Sequence, residues 1–490
     1  MKLLTLILLL AYTILLFLIS WITSKKANND TFFIGNRKSP WFVVAYGMIG
    51  ATLSGVTFMS VPGDVINTQF TYFGLVIGYI LGYIIIAYLL LPLYYKLKLT
   101  SIYEFLGTRF GKEGQKTGSL LFIASRLTGS ALRMYLTIFV LQLFLFNSWG
   151  IPIWLTSTLM LFTIFIYTFK GGVKTVVWTD LLQTTFFLVA LVATIKIIFS
   201  EVNLSFNEVF SSLHTSGYTN MFISDWKAHH FFLKHILGGM FITIAMTGLD
   251  QDMMQKNLSC KTLKEAQRNM LSFTGILVIV KALFLLLGGM LLVYAQQKGI
   301  DLSTLKSDEI YPTLALNHLG ILAAVCFVIG LIASGYSSAD GTLTSLTTTF
   351  CFDILEINKR RISEKRLALI RGLVHVGMSL LFLCVILIFT HFHNDALIRI
   401  ILIVAGYTYG PLLGLFAFGI FTKRTIKQGW CIPTFAVLMP IVVFLLSKYS
   451  TVFLGGYRFG FELLLVNGGL MFTALWGISK TTKKEKLLYE

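Results

Sequence analysis

The sequence predicts an all-α polytopic membrane protein of about thirteen transmembrane helices. Three observations carry that prediction. Apolar residues make up 56% of the 490 residues and charged ones only 13%, and the mean hydropathy of +0.78 lies far above that of a soluble domain. A hydrocarbon core of about 30 Å takes about 20 apolar residues per helix, and stretches of that kind recur along nearly the whole chain. Lysine and arginine gather in every second connection between those stretches, as they do in cytoplasmic loops.

In chain order the spans are expected at 2–22, 41–63, 71–93, 119–146, 153–169, 181–199, 234–250, 271–295, 319–349, 370–390, 397–421, 429–447 and 460–479. The first follows Lys2 as a signal peptide would. Its apolar core is too long for one and no small-x-small cleavage site precedes Lys25, so it is read as a retained span. Basic connections hold Lys25, Lys26, Arg37 and Lys38, then the groups at 96–116, 170–174, 256–268, 359–371 and 423–427, and the tail with Lys480, Lys483, Lys484 and Lys486. The alternate connections hold few, such as Lys227, Lys298, Lys306, Lys448 and Arg458. An integral protein of the plasma membrane, or of the bacterial inner membrane, is expected, lipid-embedded, with its N-terminus outside and its C-terminus in the cytoplasm. The formal charge of +18 would also suit nucleic acid, but it is scattered between spans and not gathered in one patch, so no nucleic acid partner is expected. Cys260, Cys326, Cys351, Cys384 and Cys431 fall in no disulfide or zinc spacing. His229 and His230, in the insert at 200–233, are read as surface decoration.

Polar groups inside spans are costly in hydrocarbon and normally face a cavity or a partner. Residues 333–350 read ASGYSSADGTLTSLTTTF. Ser334, Ser337, Ser338, Gly341 and Ser345 recur at helical spacing and share one face, which offers oxygen ligands or, equally, close helix packing. Asp340 on the same helix needs a cation or a donor for compensation. Hard cations prefer oxygen, so sodium or a proton is the sensible counterpart. In GATLSGVTFMSVPG (50–63), Gly50, Gly55, Pro62 and Gly63 weaken the helix where Thr52, Ser54 and Thr57 supply hydroxyls. Interrupted helices of that kind point to a transporter binding site near mid-membrane. A matching interruption is expected in HILGGMFITIAMTGLDQD (235–252), where Gly238, Gly239 and Gly248 bracket Thr243 and Thr247.

That spacing divides the chain into an extra helix and loop (1–40), a five-helix unit (41–199), an extracellular loop (200–233), a second five-helix unit (234–421), and two last helices with a tail (422–490). An odd number of helices per unit inserts the two copies in opposite orientations. No His, Asp or Glu constellation is expected within the spans, since Asp250 and Asp252 fall at the cytoplasmic end of theirs and His375 is isolated. An enzyme is therefore not expected.

FFIGNRKSPWFVV (32–44), the 50–63 segment, GGVKTVVWTDLLQ (171–183, read as a loop), DQDMMQKNLSCKTLKEAQ (250–267) and SGYSSADGTLTSLTTTFCFDI (334–354) resemble the signatures of the sodium:solute symporter family, in that family's order. The resemblance implies a five-plus-five inverted-repeat, leucine-transporter-like core, with one helix before it and two after. It implies a sodium ion held by the backbone oxygens of Gly50, Leu53 and Ser334 and the hydroxyls of Ser337 and Ser338. Asp180 matches the family's WTD motif. With Asp340 it would form a second sodium site or a proton-sensitive release gate, or Asp180 caps a helix N-terminus. Members with two sodium ions have a serine pair where this chain has Asp340 and Gly341, which leaves stoichiometry open.

Thr52, Ser54 and Thr57 are similar to the family's sialic acid branch, whose hydroxyls face a substrate carboxylate; hexose-type members have amides and carboxylates there. That branch also carries an arginine on the third core helix. Here Gly129 stands at its place, and Arg126 and Arg133 flank it. A guanidinium suits a carboxylate, although both arginines could instead snorkel or pair with internal acids. The expectation is a monomeric sodium-coupled symporter that imports a small polar organic solute by alternating access, an acidic sugar such as sialic acid being favoured. Other solutes (a monocarboxylate, sugar or amino acid) and a substrate sensor are the alternatives, though sensors of this type carry a kinase module and this chain ends at Glu490.

Overall fold

The computed structural model describes residues 2–228, 230–390, 397–426 and 429–481. His229, Lys427, Lys483, Lys484 and Lys486, weighed above, lie outside them. The described chain is a bundle of helices whose only paired strands are two-residue pieces, with Arg424 opposite Thr481. Among the described residues, seven helices are long and apolar enough to cross a membrane, or nine if each of two bent pairs counts as one span.

Helix α1 (Lys2–Ser24) belongs to the bundle. Its Ser20 hydroxyl donates to the Tyr167 carbonyl at 2.7 Å, and Thr23 lies 2.8 Å from the Thr175 hydroxyl. The span expected at 41–63 is two helices, α2 (Trp41–Thr52) and α3 (Gly55–Gly63), bent by 59°. Leu53 (φ −92°, ψ 86°) and the extended Ser54 make the break, so the carbonyls of Gly50, Ala51 and Thr52 lose their helical donors while Ile49 keeps the Leu53 amide. After α4 (Tyr72–Lys96) comes α5 (Glu104–Leu141), redirected at Gly111 (φ 74°).

The stretch 171–183, expected as a loop, is helical. It lies within α6 (Ile153–Val202), whose two arms meet at Gly172 (φ 49°, ψ −131°). One left-handed residue turns the chain without a loop. A side chain there is excluded twice over, by the backbone angle and by the Phe32 backbone, 2.5 Å from where a Cβ would stand. Asp180 therefore sits in a helix interior and caps nothing. The 200–233 insert, expected as a loop, contains a helix, Phe206–Thr215, started by a Ser205/Glu208 capping box.

The second interruption also falls where the glycines predict. Helices α7 (Phe232–Gly248) and α8 (Gln251–Leu258) are bent by 64°, and the Asp250 carboxylate caps α8 by accepting from the Met253 amide at 3.2 Å. The remaining helices are α9 (Leu263–Lys298), α10 (Ser307–Asn317), α11 (Gly320–Ile354), α12 (Glu364–Phe389), α13 (Leu397–Phe421), α14 (Cys431–Lys448) and α15 (Leu463–Ile478). Helix α11 packs most extensively on α6, and α4 on α7. The outer arm α3 is pinned by Phe58, whose ring centre lies 5.2 Å from Phe187, 5.3 Å from Tyr311, 5.7 Å from Phe327 and 6.0 Å from Phe284. With that arm held by α6, α9, α10 and α11, the break at Leu53 and Ser54 keeps a fixed place in the bundle.

Candidate functional site

Both helix breaks border one cavity of about 760 Å³, its mouth included. Thr52, Ser54 and Thr57 line it from the first break, Thr243 and Thr247 from the end of α7, and Arg126 and Arg133 from α5. All five residues predicted to touch substrate are thus brought together. The Thr52 hydroxyl is buried with no hydrogen-bond partner among the described residues, which leaves it to a ligand or water.

The two arginines differ completely. Arg126 is buried in acid: Nη1 is 3.6 Å from Asp250, Nη2 touches Asp252, and Nε donates to Thr342 at 3.1 Å. The Arg133 guanidinium has no hydrogen bond or ion pair with a described residue. Beside it, a Cβ at Gly129 would meet nothing within 4 Å, so the neighbouring turn leaves room around this side chain.

Of the predicted sodium ligands, Ser338 is fully buried and its hydroxyl has no partner. Ser337 donates to Asp180 Oδ1 at 2.5 Å, which leaves its lone pairs for a cation. The Ser334 hydroxyl is turned back onto the Leu331 carbonyl at 2.8 Å, consistent with only its backbone oxygen being counted as a ligand. Gly55, at the break, would place a Cβ 3.5 Å from the Ser334 hydroxyl, so the first break and α11 meet there. Orphaned carbonyls at the end of α2 and an unpartnered hydroxyl on α11 are a donor set that suits a hard cation.

Beneath the cavity lies a layer of ionised groups that overturns the expectation of no acidic constellation. Asp250 caps α8 at the break and Asp252 lies in its first turn, both buried. The 64° bend returns α8 into the bundle, and every residue from Gln251 to Leu258 is buried. Lys256 Nζ is 2.8 Å from Asp180 and 3.6 Å from Asp252, while Tyr409 donates to Asp250 at 2.6 Å. Gly341 permits the contact of α8 with α11, since a Cβ on it would fall 2.3 Å from Asp252 Oδ1.

Asp180 and Asp340, paired in expectation, share neither a hydrogen bond nor an ion pair. Asp180 is taken by Lys256. Asp340, fully buried, has no described base within 4 Å and accepts from Tyr167 at 2.9 Å and from Thr179 and Gln183 at 3.3 Å. The Tyr12 and Gln183 side chains are both buried and lie against each other. His375 is held between Thr168 (3.1 Å) and Thr347 (2.9 Å), as a packed core histidine.

Sequence reasoning missed Tyr72, Tyr79, Tyr83 and Lys281, which complete the cavity wall. Lys281 carried a usable signal, as the one charge in a long apolar run; the tyrosines carried none.

The profile of the sodium:solute symporter family matches residues 32–434. Among known proteins, the chain is 26% identical to the sodium/sialic acid symporter SiaT of Proteus mirabilis over 88% of this chain and 86% of that one. It is 27% identical to the sodium/sialic acid symporter NanT of Aliivibrio fischeri over 82% and 79%. It is also 28% identical to the sodium-coupled monocarboxylate transporter 1 of Mus musculus over 81% and 64%. Among solved structures, the substrate-bound outward-open state of a sodium-coupled sialic acid symporter superposes with a TM-score of 0.84, at 23% identity over 98% of this chain and 99% of that one. The closed conformation of Mhp1, a nucleobase-cation-symport-1 family transporter, gives 0.55 at 13% identity over 93% and 96%. The chain belongs to the sodium:solute symporter family and is a sodium-dependent membrane transporter of small solutes, not an enzyme.

Proposed function

We propose that this transporter couples sodium to the import of a small acidic solute by alternating access, with an acidic sugar of the sialic acid kind as the favoured cargo. The observation that carries the reading is the cavity at the two helix breaks, where the hydroxyls of Thr52, Ser54 and Thr57 share a wall with the unpaired Arg133 guanidinium. A bidentate donor fork facing hydroxyls is suited to a carboxylate on a polyhydroxylated body. The names of the SiaT and NanT relatives support the same cargo. A monocarboxylate is the second reading, favoured by the 28% identical mouse transporter. Arg126 drops out as a substrate ligand in both, because Asp250 and Asp252 hold it.

Sodium would sit between the backbone oxygens of Gly50, Leu53 and Ser334 and the hydroxyls of Ser337 and Ser338. It would then bridge the broken α2–α3 to α11. A ligand shifts an equilibrium only by its differential affinity for the two states, so an ion that bridges two relatively moving elements favours the state in which they are apposed. Ser337 passes this contact to Asp180 and on to Lys256 of α8. Each sodium carried inward gains about 2.3 kcal/mol per 100 mV of membrane potential. A second cation, sodium or a proton, is assigned to Asp340, where the Tyr12 and Gln183 oxygens lie close by; Asp180 contributes only if Lys256 moves away.

Counting the arms of α6 separately and including α5, α13 and α15 supports thirteen spans. The breaks in α2–α3 and α7–α8 stand five spans apart, as two inverted units at 41–199 and 234–421 require, flanked by 1–40, 200–233 and 422–490. The alternation of basic connections supports a cytoplasmic C-terminus in a bacterial inner membrane, for a lipid-embedded monomer.

The test is uptake of labelled sialic acid into proteoliposomes with and without an inward sodium gradient, with unlabelled sugars, amino acids and monocarboxylates as competitors. Sodium-dependent accumulation is expected. Uptake of a competitor in place of sialic acid would remove the cargo and keep the symport.

A further inference from the structure

Arg133 is not the only cation in the cavity wall that lacks an acid. Lys281, from the middle of α9, lines the same cavity and is only 3% exposed. Its ammonium donates to the Tyr72 hydroxyl at 2.9 Å, and Tyr72 is 3.3 Å from Tyr79. No described carboxylate lies within 4 Å of it. A phenol chain fixes the position of the ammonium but brings no negative charge, and it occupies one of three donors.

No aspartate or glutamate lines this cavity. The buried carboxylates belong to the layer below, where Asp250, Asp252 and Asp180 already hold Arg126 and Lys256. Snorkelling to an interface, the usual escape for an intramembrane lysine, is not used, since the ammonium is turned inward onto Tyr72. Burial of a charge without a partner is expensive. The cavity wall therefore carries two basic groups with no described acid within 4 Å, and a single carboxylate would answer only one of them.

We infer that the cavity is built for a solute with two anionic groups, one on Arg133 and the other on Lys281: a dicarboxylate, or an acidic sugar with a second carboxylate, phosphate or sulfate. This rests on the reading of the cavity as the substrate site and narrows its cargo. The three tyrosines and the threonines then receive the neutral body between the two charges, the phenols as amphipathic walls and the hydroxyls as hydrogen-bond partners.

The experiment is a binding series on the purified full-length protein in sodium buffer, with acids matched in size that differ by one charge: glucarate against gluconate, glutarate against its monoamide, and sialic acid as a large monoanion. At least one dianion is expected to bind tenfold or more tightly than its monoanionic partner. Lys281→Gln should bring that preference close to one while binding of the monoanion persists, and Lys281→Arg should retain it. A thermal melt of each variant separates misfolding from altered recognition. The inference is overturned if monoanions bind as well as dianions, or if the preference outlives removal of Lys281, which would make the lysine structural. Uptake of sialic acid with no dianion preference would overturn this inference alone, whereas a cavity that binds no acid would end the acidic-solute reading as well.

Discussion

Arg126 and Arg133 stand seven residues apart on one face of one helix, yet they belong to opposite regimes. The layer around Arg126 is closed electrostatically: each of its bases has an acid, and Tyr409 and Thr342 satisfy further valences. The cavity around Arg133 and Lys281 is open in the same sense, with cations that no described acid answers. Buried ion pairs bring little net stability but become costly to break from one side. Groups left unanswered inside a protein are instead held ready for something that arrives. The difference separates side chains that hold helices to one another from side chains that face the cavity.

The comparison predicts a large structural effect in one region and a functional one in the other. Arg126→Met should cost about 3–5 kcal/mol by leaving Asp250 and Asp252 buried without their cation, read as a loss of thermal stability in detergent. Adding Asp250→Asn and Asp252→Asn should restore much of it; an undisturbed melt of the single variant would erase the distinction between the layers. Gly341→Ala comes next, at about 1–3 kcal/mol for forcing a methyl against a carboxylate clamped by Arg126 and Lys256. Asp252→Gly in the same chain should relieve the clash, and additive losses would show that the two do not press on each other.

Arg133→Ala should leave the melt close to wild type and weaken an anionic solute about tenfold, or about 1.4 kcal/mol, with little effect on a neutral analogue. Equal weakening of both would return this arginine to a structural role. Smallest is Ser337→Ala with Ser338→Ala. Each lost ligand is worth about 0.5 kcal/mol, so the two together should raise the sodium concentration for half-maximal uptake about fivefold. An unchanged sodium dependence would remove α11 from the ion site.

The breaks in both bent helices were legible because glycine, proline and hydroxyls coincide there, and such residues weaken a helix whatever surrounds them. The segment 171–183 was misread for the same reason. Its glycine pair looks like a loop, yet Gly172 turns the chain alone and Thr175, Thr179, Asp180 and Gln183 are polar because they face other helices. The charge layer was hidden because nothing in DQDMMQK tells that α8 re-enters the bundle. Which arginine meets acid is decided by that re-entry, so spacing on α5 alone could not separate Arg126 from Arg133. Lys281 was legible in principle, being the only charge between Arg268 and Lys298. What the sequence withheld was whether its stem snorkels or turns inward.

Gly341 also bears on how this lineage can change. A serine at that position, the arrangement expected of members with two sodium ions, needs room that the Asp252 carboxylate now fills. The mutation that would restore the hydroxyl is therefore harmful on its own, and the loss of Asp252 on its own strips Arg126 and Lys256 of a partner. A return to the serine pair needs changes at both Asp340 and Gly341, and the second has to be accompanied by a change at Asp252. Residues 252 and 341, which meet across α8 and α11, therefore limit each other's substitution.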